Sequence, residues 1–383
     1  MPDGREAAKV RVISKIAEVK AADWDACAGP ENPFVSHGFL SALEDSNSAT
    51  AKTGWLPRHL VLEDAAGSVV AAAPLYIKSH SMGEYVFDQG WAQAYENAGG
   101  RYYPKLLSAV PFTPVPGQRL LARDEESQRL LAATMIELAR RHELSSVHVN
   151  FTTGPEARRL AEFGFLIRTG FQFHWHNRGY GSFDDFLSDL TARKRKMVRH
   201  ERSEALKDLT VRIARGTEIS EADWDAFFDF YQETGSRKWG SPYLTRGFFS
   251  RLSATMPEKI VLIFAERGGR PIAGALNVQG SDALYGRYWG AIEHRPFLHF
   301  ELCYYQAIEF AIAQKLSRVE AGAQGEHKVP RGYLPTPTYS AHYLRDSGFR
   351  DAVARFLQEE TRAVAAEMAM LAEMSPFKSE GKG

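Results

Sequence analysis

The chain has 383 residues, of which 44 % are hydrophobic, 25 % charged and 12 % aromatic. That length and make-up suit two soluble domains of ordinary size and exclude a disordered or fibrous protein. Lysine plus arginine and aspartate plus glutamate number 47 each, and the only cysteines are Cys27 and Cys303, which excludes a net field for nucleic acid or membranes, a disulfide framework and a cysteine-rich zinc site. The first residues lack the apolar core of a signal peptide, and the best apolar run, residues 69–77, holds Pro74 and is too short for a bilayer. The expectation is a cytoplasmic protein without membrane insertion.

In chain order, a strand over residues 10–16 leads to Ala22-Asp23-Trp24-Asp25-Ala26, which recurs as Ala222-Asp223-Trp224-Asp225-Ala226 after a second strand over 209–214. Pro33 to Ser41 is answered by Pro242 to Ser250, and a hairpin of buried strands follows each time, turning at Gly67 and at Gly268. A helix-to-strand unit closes each copy, with Glu137, Leu144 and Val147 answered by Glu309, Leu316 and Val319. The offset falls from 201 at the hairpin glycines to 172 at that unit, so the first copy carries about 29 extra residues within 85–123, expected as loop or lid because of their prolines. Gly99-Gly100-Arg101 in that region suits a turn better than a phosphate cradle.

Trp224, Phe227, Phe228 and Tyr231 give a helical stripe, with Ser220 and Asp223 as a capping box, and Leu298, Leu302, Tyr305, Ile308 and Ile312 give another. A long C-terminal helix carries Phe349, Val353, Phe356, Leu357, Val364, Met368 and Leu371 on one side before a fraying tail. The order of elements predicts a mixed α/β fold with largely antiparallel sheets, a tandem duplication, with domains 1–180 and 181–383 and the long helix in the second. Residues 325–344 have no evident counterpart in the first half.

The doubled order resembles a tandem of two GNAT-like acyltransferase domains, as in the Fem-like (FemAB-type) N-acyltransferases. Three stretches carry the likeness: LTARKRKMVRHERSEALKDLTVRIARGTEIS, FLHFELCYYQAIEFAIAQKLSRVEAGAQG and GEHKVPRGYLPTPTYSAHYL. The last is similar to a branch described as peptidoglycan biosynthesis or recognition proteins. The resemblance implies an N-acyltransferase that moves an acyl or aminoacyl group onto a small-molecule or peptide amine. It implies no permanently bound cofactor, the acyl donor being a co-substrate, either an aminoacyl-tRNA or an acyl-thioester. An acyl-CoA or acyl-carrier-protein donor is the alternative, as is a non-catalytic protein that binds peptidoglycan precursors. The segment from Ile292 to Leu298, where a CoA-binding GNAT has glycines, has none, which argues against conventional CoA binding in the second half.

Acyl transfer to an amine needs a base, oxyanion donors and an acid for the leaving group. If Val319 points into the core, strand alternation turns Glu320 to the other face, as substrate-amine ligand or base, with His148 as its counterpart. An ion pair is the plainer reading of Glu320. Glu326, His327 and Lys328 form the densest cluster, with His327 as candidate base and Lys328 and Arg331 as receivers of an anionic donor; a solvated loop is the plainer reading. Tyr333, Tyr339 and His342 are weaker candidates for contacts to substrate, and Arg287 is placed in the cleft by alternation with Tyr285 and Trp289. No metal site is expected, since His327 and His342 are far apart in sequence without supporting ligands. Arg193, Lys194, Arg195, Lys196, Arg199 and Arg202 crowd one helix, read either as a solvated surface or as a site for tRNA.

Overall fold

A computed structural model describes residues 9–238, 242–322 and 325–378. Ala323 and Gln324 of the polar segment, the first eight residues and the last five of the tail lie outside the described residues. The fold is mixed α/β with largely antiparallel strands, and the chain forms two compact units. Each is discontinuous, Met1–Gly170 with Pro337–Val364, and Phe171–Thr336 with Ala365–Gly383. The single cut expected near residue 180 therefore does not describe them: the chain passes between units inside the strands Leu166–His176 and Leu334–Leu344, and again inside the helix Ser347–Glu373.

In the first unit, Lys9–Ile13, His59–Glu63, Val69–Ala73 and Leu121–Ala122 form one antiparallel sheet. A second sheet runs from Trp55–Pro57 through Tyr76–Lys78 and Lys105–Ser108 to Ser146–Thr152, where Tyr339 to Leu344 pair antiparallel. Leu131, Met135 and Ala139 of the helix Glu125–Arg141 pack with Val147 and Val149 in the core beneath. Residues 85–123, expected as loop or lid, instead hold the helix Gln89–Asn97 and the strand Lys105–Ser108, and bury Tyr102, Leu107 and Arg119 completely. Their prolines punctuate a packed insertion. Gly99 and Gly100 close the C-terminus of that helix, their amides donating to Glu96 O and Tyr95 O at 3.0 and 2.9 Å, so those N–H groups are already engaged.

The second unit's sheet orders Thr210–Arg215, Ile260–Arg267, Arg270–Gln279, Ala283–Ala291 and Arg318–Glu320, with His174 to His176 closing it. The capping box expected at Ser220 is present: Asp223 N donates to Ser220 Oγ at 3.2 Å and Ser220 N to Asp223 Oδ2 at 2.9 Å. The helix that follows, Glu221–Lys238, lies so close to the sheet that a Cβ on Gly290 would stand 2.0 Å from the carbonyl oxygen of Phe230. The second stripe forms a helix interrupted by one π-turn, Glu301–Tyr305, before Gln306–Ala313.

The polar segment is more regular than expected. It contains a 3-10 helix, Glu326–Arg331, and an 11-residue strand, Leu334–Leu344. Pro335 and Pro337 precede Tyr339, the first residue paired with Ser146–Thr152, so neither takes an N–H from that ladder. Nor does the segment lack a counterpart. After Ser146–Thr152 the first half continues with the helix Gly154–Glu162 and its own 11-residue strand, Leu166–His176. Each of these two strands starts in one unit and ends in the other.

Candidate active site

Two neighbouring rungs of the second unit's sheet divide its chemistry. Leu284, Val319 and Trp175 form one rung, and all three belong to the hydrophobic core. The next rung is Tyr285, Glu320 and His174, which alternation turns to the opposite face. The third brings Arg318 beside His176. Glu320 therefore lies on the polar face that the pleat predicts, although it is only 3 % exposed.

The Glu320 carboxylate is half satisfied. Arg318 Nε donates to its Oε1 at 2.9 Å, while Oε2 has no hydrogen-bond partner among the described residues and stands 3.8 Å from His174 Nε2. Burial pushes its pKa up and Arg318 and Arg287 pull it down, burial prevailing. His174 is pushed down to about 3, by burial first and then by the charges of His176, Arg318 and Lys328. It is thus neutral near pH 7, with Nε2 3.4 Å from Gln172 Oε1. Arg318 also ion-pairs with Asp282 and donates to Tyr285 Oη at 3.2 Å, so its guanidinium is fixed on three sides.

Arg287 is half-buried and sits at a register shift between Ala283–Ala291 and Arg270–Gln279, where Leu276 pairs Tyr288 but Asn277 pairs Gly286. A β-bulge of this kind re-aims a side chain, so the strict alternation assumed for Tyr285, Arg287 and Trp289 stops there. The charge of Arg287 is felt by both Glu320 and Lys328. Lys328 is buried, donates to Gly322 O at 3.0 Å, and is lowered to about 8 chiefly by desolvation.

The other expected residues have different surroundings. Glu326 and His327 are exposed, with His327 Nε2 2.9 Å from Tyr304 Oη. Arg331 faces no open space: it forms a buried two-armed ion pair with Glu201, Nε to Oε2 at 2.9 Å and Nη2 to Oε1 at 2.6 Å, and covers the Phe300 ring. Tyr333 is fully buried and donates to Tyr304 O at 3.3 Å. As assigned from sequence to substrate contact, Arg331 and Tyr333 are corrected to packing roles, their polar atoms being already engaged. Tyr339 and His342 belong to the first unit, where Tyr339 pairs Thr152 and His342 pairs His148. The basic helix is Ala192–Ala205; Arg202 is held by Glu301 and Glu309, whereas Arg193, Lys196 and Arg199 are exposed.

Tyr285, placed on the cleft side by alternation, lies on this face, and Gln172, His174, His176 and Arg318, which were not expected, complete it. The signal for three of them is the run Phe171-Gln172-Phe173-His174-Trp175-His176, in which aromatic and polar residues alternate with the period of a strand. Among the described residues, no group of three or more histidines, cysteines or acids could hold a metal ion, and no helix is long and apolar enough to cross a membrane.

Comparison with solved structures finds the same fold in FemX, at 12 % identity and a TM-score of 0.55 over 88 % of this chain and 98 % of that one. The C-terminal domain of a putative lysylphosphatidylglycerol synthetase from Agrobacterium fabrum is similar at 9 % identity and a TM-score of 0.55, covering 90 % of this chain and 97 % of that one. L-PGS from Bacillus licheniformis follows at 11 % identity and 0.51, over 86 % of this chain and 98 % of that one. Comparison with curated proteins found no match. The FemAB-like family model, described as peptidoglycan biosynthesis/recognition, matches residues 15–379. The chain belongs to the FemAB-like family.

Proposed function

We propose that the protein is a cell-wall-related N-acyltransferase that moves an acyl or aminoacyl group onto an amine, with Glu320 at the reacting centre. The observation that carries this is the buried Glu320 carboxylate, whose Oε2 has no hydrogen-bond partner among the described residues and lies among fixed polar groups. A carboxylate oxygen accepts only, so the group it takes presents a donor hydrogen, as a substrate amine does. In the step itself the amine nitrogen bonds to the acyl carbon, and the ester or thioester bond breaks with its electron pair going to the donor's oxygen or sulfur. Glu320 Oε2 accepts the proton that leaves the nitrogen and passes it to that leaving atom. The raised proton affinity of Glu320 favours that acceptance. Neutral His174 holds the carboxylate's surroundings without adding charge, and Arg287 and Lys328 supply positive charge for an anionic donor.

Family membership supports a transferase acting near peptidoglycan chemistry. An aminoacyl-tRNA donor would use Arg193, Lys194, Lys196 and Arg199 of the helix Ala192–Ala205. Purified protein given labelled aminoacyl-tRNAs, and separately acyl-thioesters, with a peptidoglycan-precursor peptide is expected to transfer label to the peptide amine. Glu320→Gln should lower the rate by about 100-fold with the fold intact. Full activity in that variant, or no transfer from either donor class, overturns the proposal. Neutralising the four basic residues should flatten the salt dependence of tRNA binding; an unchanged slope removes tRNA as donor.

A further inference from the structure

In the first unit the strand Ser146–Thr152 places Val147 and Val149 in the core and turns Ser146, His148 and Asn150 to the opposite face. His342 is paired across from His148, just as His174 is paired across from Glu320 in the second unit. The two histidines occupy the same place in their strands, the ninth of eleven residues.

That face is buried and hydrogen-bonded into one network. Lys105 Nζ donates to Glu84 Oε2 and Ser81 Oγ, both at 2.8 Å, and to Asp88. Tyr102 Oη donates to Asp88 Oδ2 at 2.7 Å and stands 3.4 Å from His148 Nε2, which is 2.8 Å from Ser146 Oγ. His148 Nδ1 meets His342 Nδ1 at 2.7 Å. Two lysines, Lys78 and Lys105, lie against two acids, Glu84 and Asp88, in this network.

Glu84 Oε1 and Asp88 Oδ1 of this network have no hydrogen-bond partner among the described residues, and two uncharged members are unsatisfied as well. Asn150, 1 % exposed, leaves both Nδ2 and Oδ1 without a hydrogen-bond partner, and His342, 1 % exposed, leaves Nε2. Buried polar atoms without partners are rare and each calls for an explanation. Next to Asn150, Phe151 holds a left-handed φ of 55°, a strained value for a bulky residue, and its N–H donates to Ser340 Oγ at 3.1 Å. Only one proton fits between His148 Nδ1 and His342 Nδ1, so His342 Nε2 is either a bare acceptor or an unmatched N–H, depending on which ring holds that proton.

We propose that this face is a second ligand site, for an uncharged amide such as a peptide group. Asn150 carries no charge and both histidines are kept neutral by burial, so these unsatisfied groups call for an uncharged partner. An amide offers a donor and an acceptor together, as the side chain of Asn150 requires, and its carbonyl or its N–H suits His342 Nε2 in either tautomer. Trp91 stands edge-on to His342 with ring centroids 4.9 Å apart, and it also lines a groove of about 650 Å³ with Tyr95, Arg168, Phe349 and Phe356. The ligand reaches the site from that groove by displacing the indole. The two units thereby differ in kind: Glu320 faces a donor-only group, Asn150 and His342 a neutral one that both gives and takes.

The probe is N-acetyl-L-alaninamide, added to full-length protein labelled with nitrogen-15 and followed by NMR, a readout that needs no turnover and is therefore separable from the proposed transfer. Saturable shifts of the His342 Nε2 and Asn150 side-chain resonances are expected, with affinity weakened about tenfold in Asn150→Leu. Because that variant could lose its fold, the wild-type shifts stand as the primary measurement. Titration that leaves both resonances in place, equal affinity in a folded Asn150→Leu, or a crystal structure in which ordered water alone meets both residues in the presence of the probe overturns the proposal.

Discussion

His148 and His174 are each lowered to about 3 by burial, and His342 is lowered as well. In the unfolded chain the same rings titrate near 6.5, so below that pH the unfolded state binds protons the folded state refuses. Stability is therefore full above about pH 6.5 and falls as pH drops toward 3. His148 and His174 each remove about 2 kcal/mol by pH 5. Urea unfolding at pH 7 and pH 5 should show this loss; equal stabilities at the two values would contradict it. Lys78 gives the opposite window. Burial against the Trp55 ring lowers it to about 7, so the unfolded chain is protonated where the folded amine is not, and stability rises between pH 7 and about 10.5. Lys78→Met should add about 1–2 kcal/mol at neutral pH and flatten that rise. A destabilised variant with the rise intact would mean that the amine, charged, supports the fold through Glu84.

Arg331 and Glu201 join the 3-10 helix Glu326–Arg331 to the helix Ala192–Ala205, and Tyr305 of the π-turn donates to the same carboxylate. Removing one member leaves the other charged and buried. Arg331→Met is expected to cost about 3–5 kcal/mol, and Arg331→Met combined with Glu201→Leu to recover much of it; a double variant as unstable as the sum of the singles would deny the coupling. Gly290→Ala sets backbone against backbone, with the added Cβ 2.0 Å from Phe230 O. It should lower the melting temperature more than Gly269→Ala, where a Cβ meets nothing within 4 Å and only the positive φ resists. Elements of this kind mark how far local pattern reaches. The hairpins, the Ser220 capping box and the outward turn of Glu320 could be read because each depends on residues a few positions apart. Arg331 could not, because Glu201 lies 130 positions away and a cation beside prolines looks the same whether it awaits a ligand or an acid. His174 was within reach, since Phe171 to His176 spells out a two-residue period.

Across the molecule, the order of elements was legible and the partition was not. Nothing in the periodicity of Leu334–Leu344 says that its second part pairs with Ser146–Thr152, since periodicity fixes a strand's faces and leaves its neighbours open. A cut at residue 180 deprives the first unit of Pro337–Val364, and the second of Phe171 to His176. Fragments 1–180 and 181–383 made separately are thus expected to be insoluble or molten, with loss of near-ultraviolet dichroism, and to regain it when produced together. Either fragment folding alone with sharp amide dispersion would argue against it.

The strand that carries His342 also sets a schedule. During synthesis the first unit waits for Pro337–Val364 to leave the ribosome, after the whole of Phe171–Thr336 has been made. Domains of many proteins fold in turn as they emerge; here the half made first is among the last to be finished, and its Ser146–Thr152 edge stays unpaired on the His342 side meanwhile. A nascent chain stalled at residue 330 should be captured by chaperones that ignore the released protein.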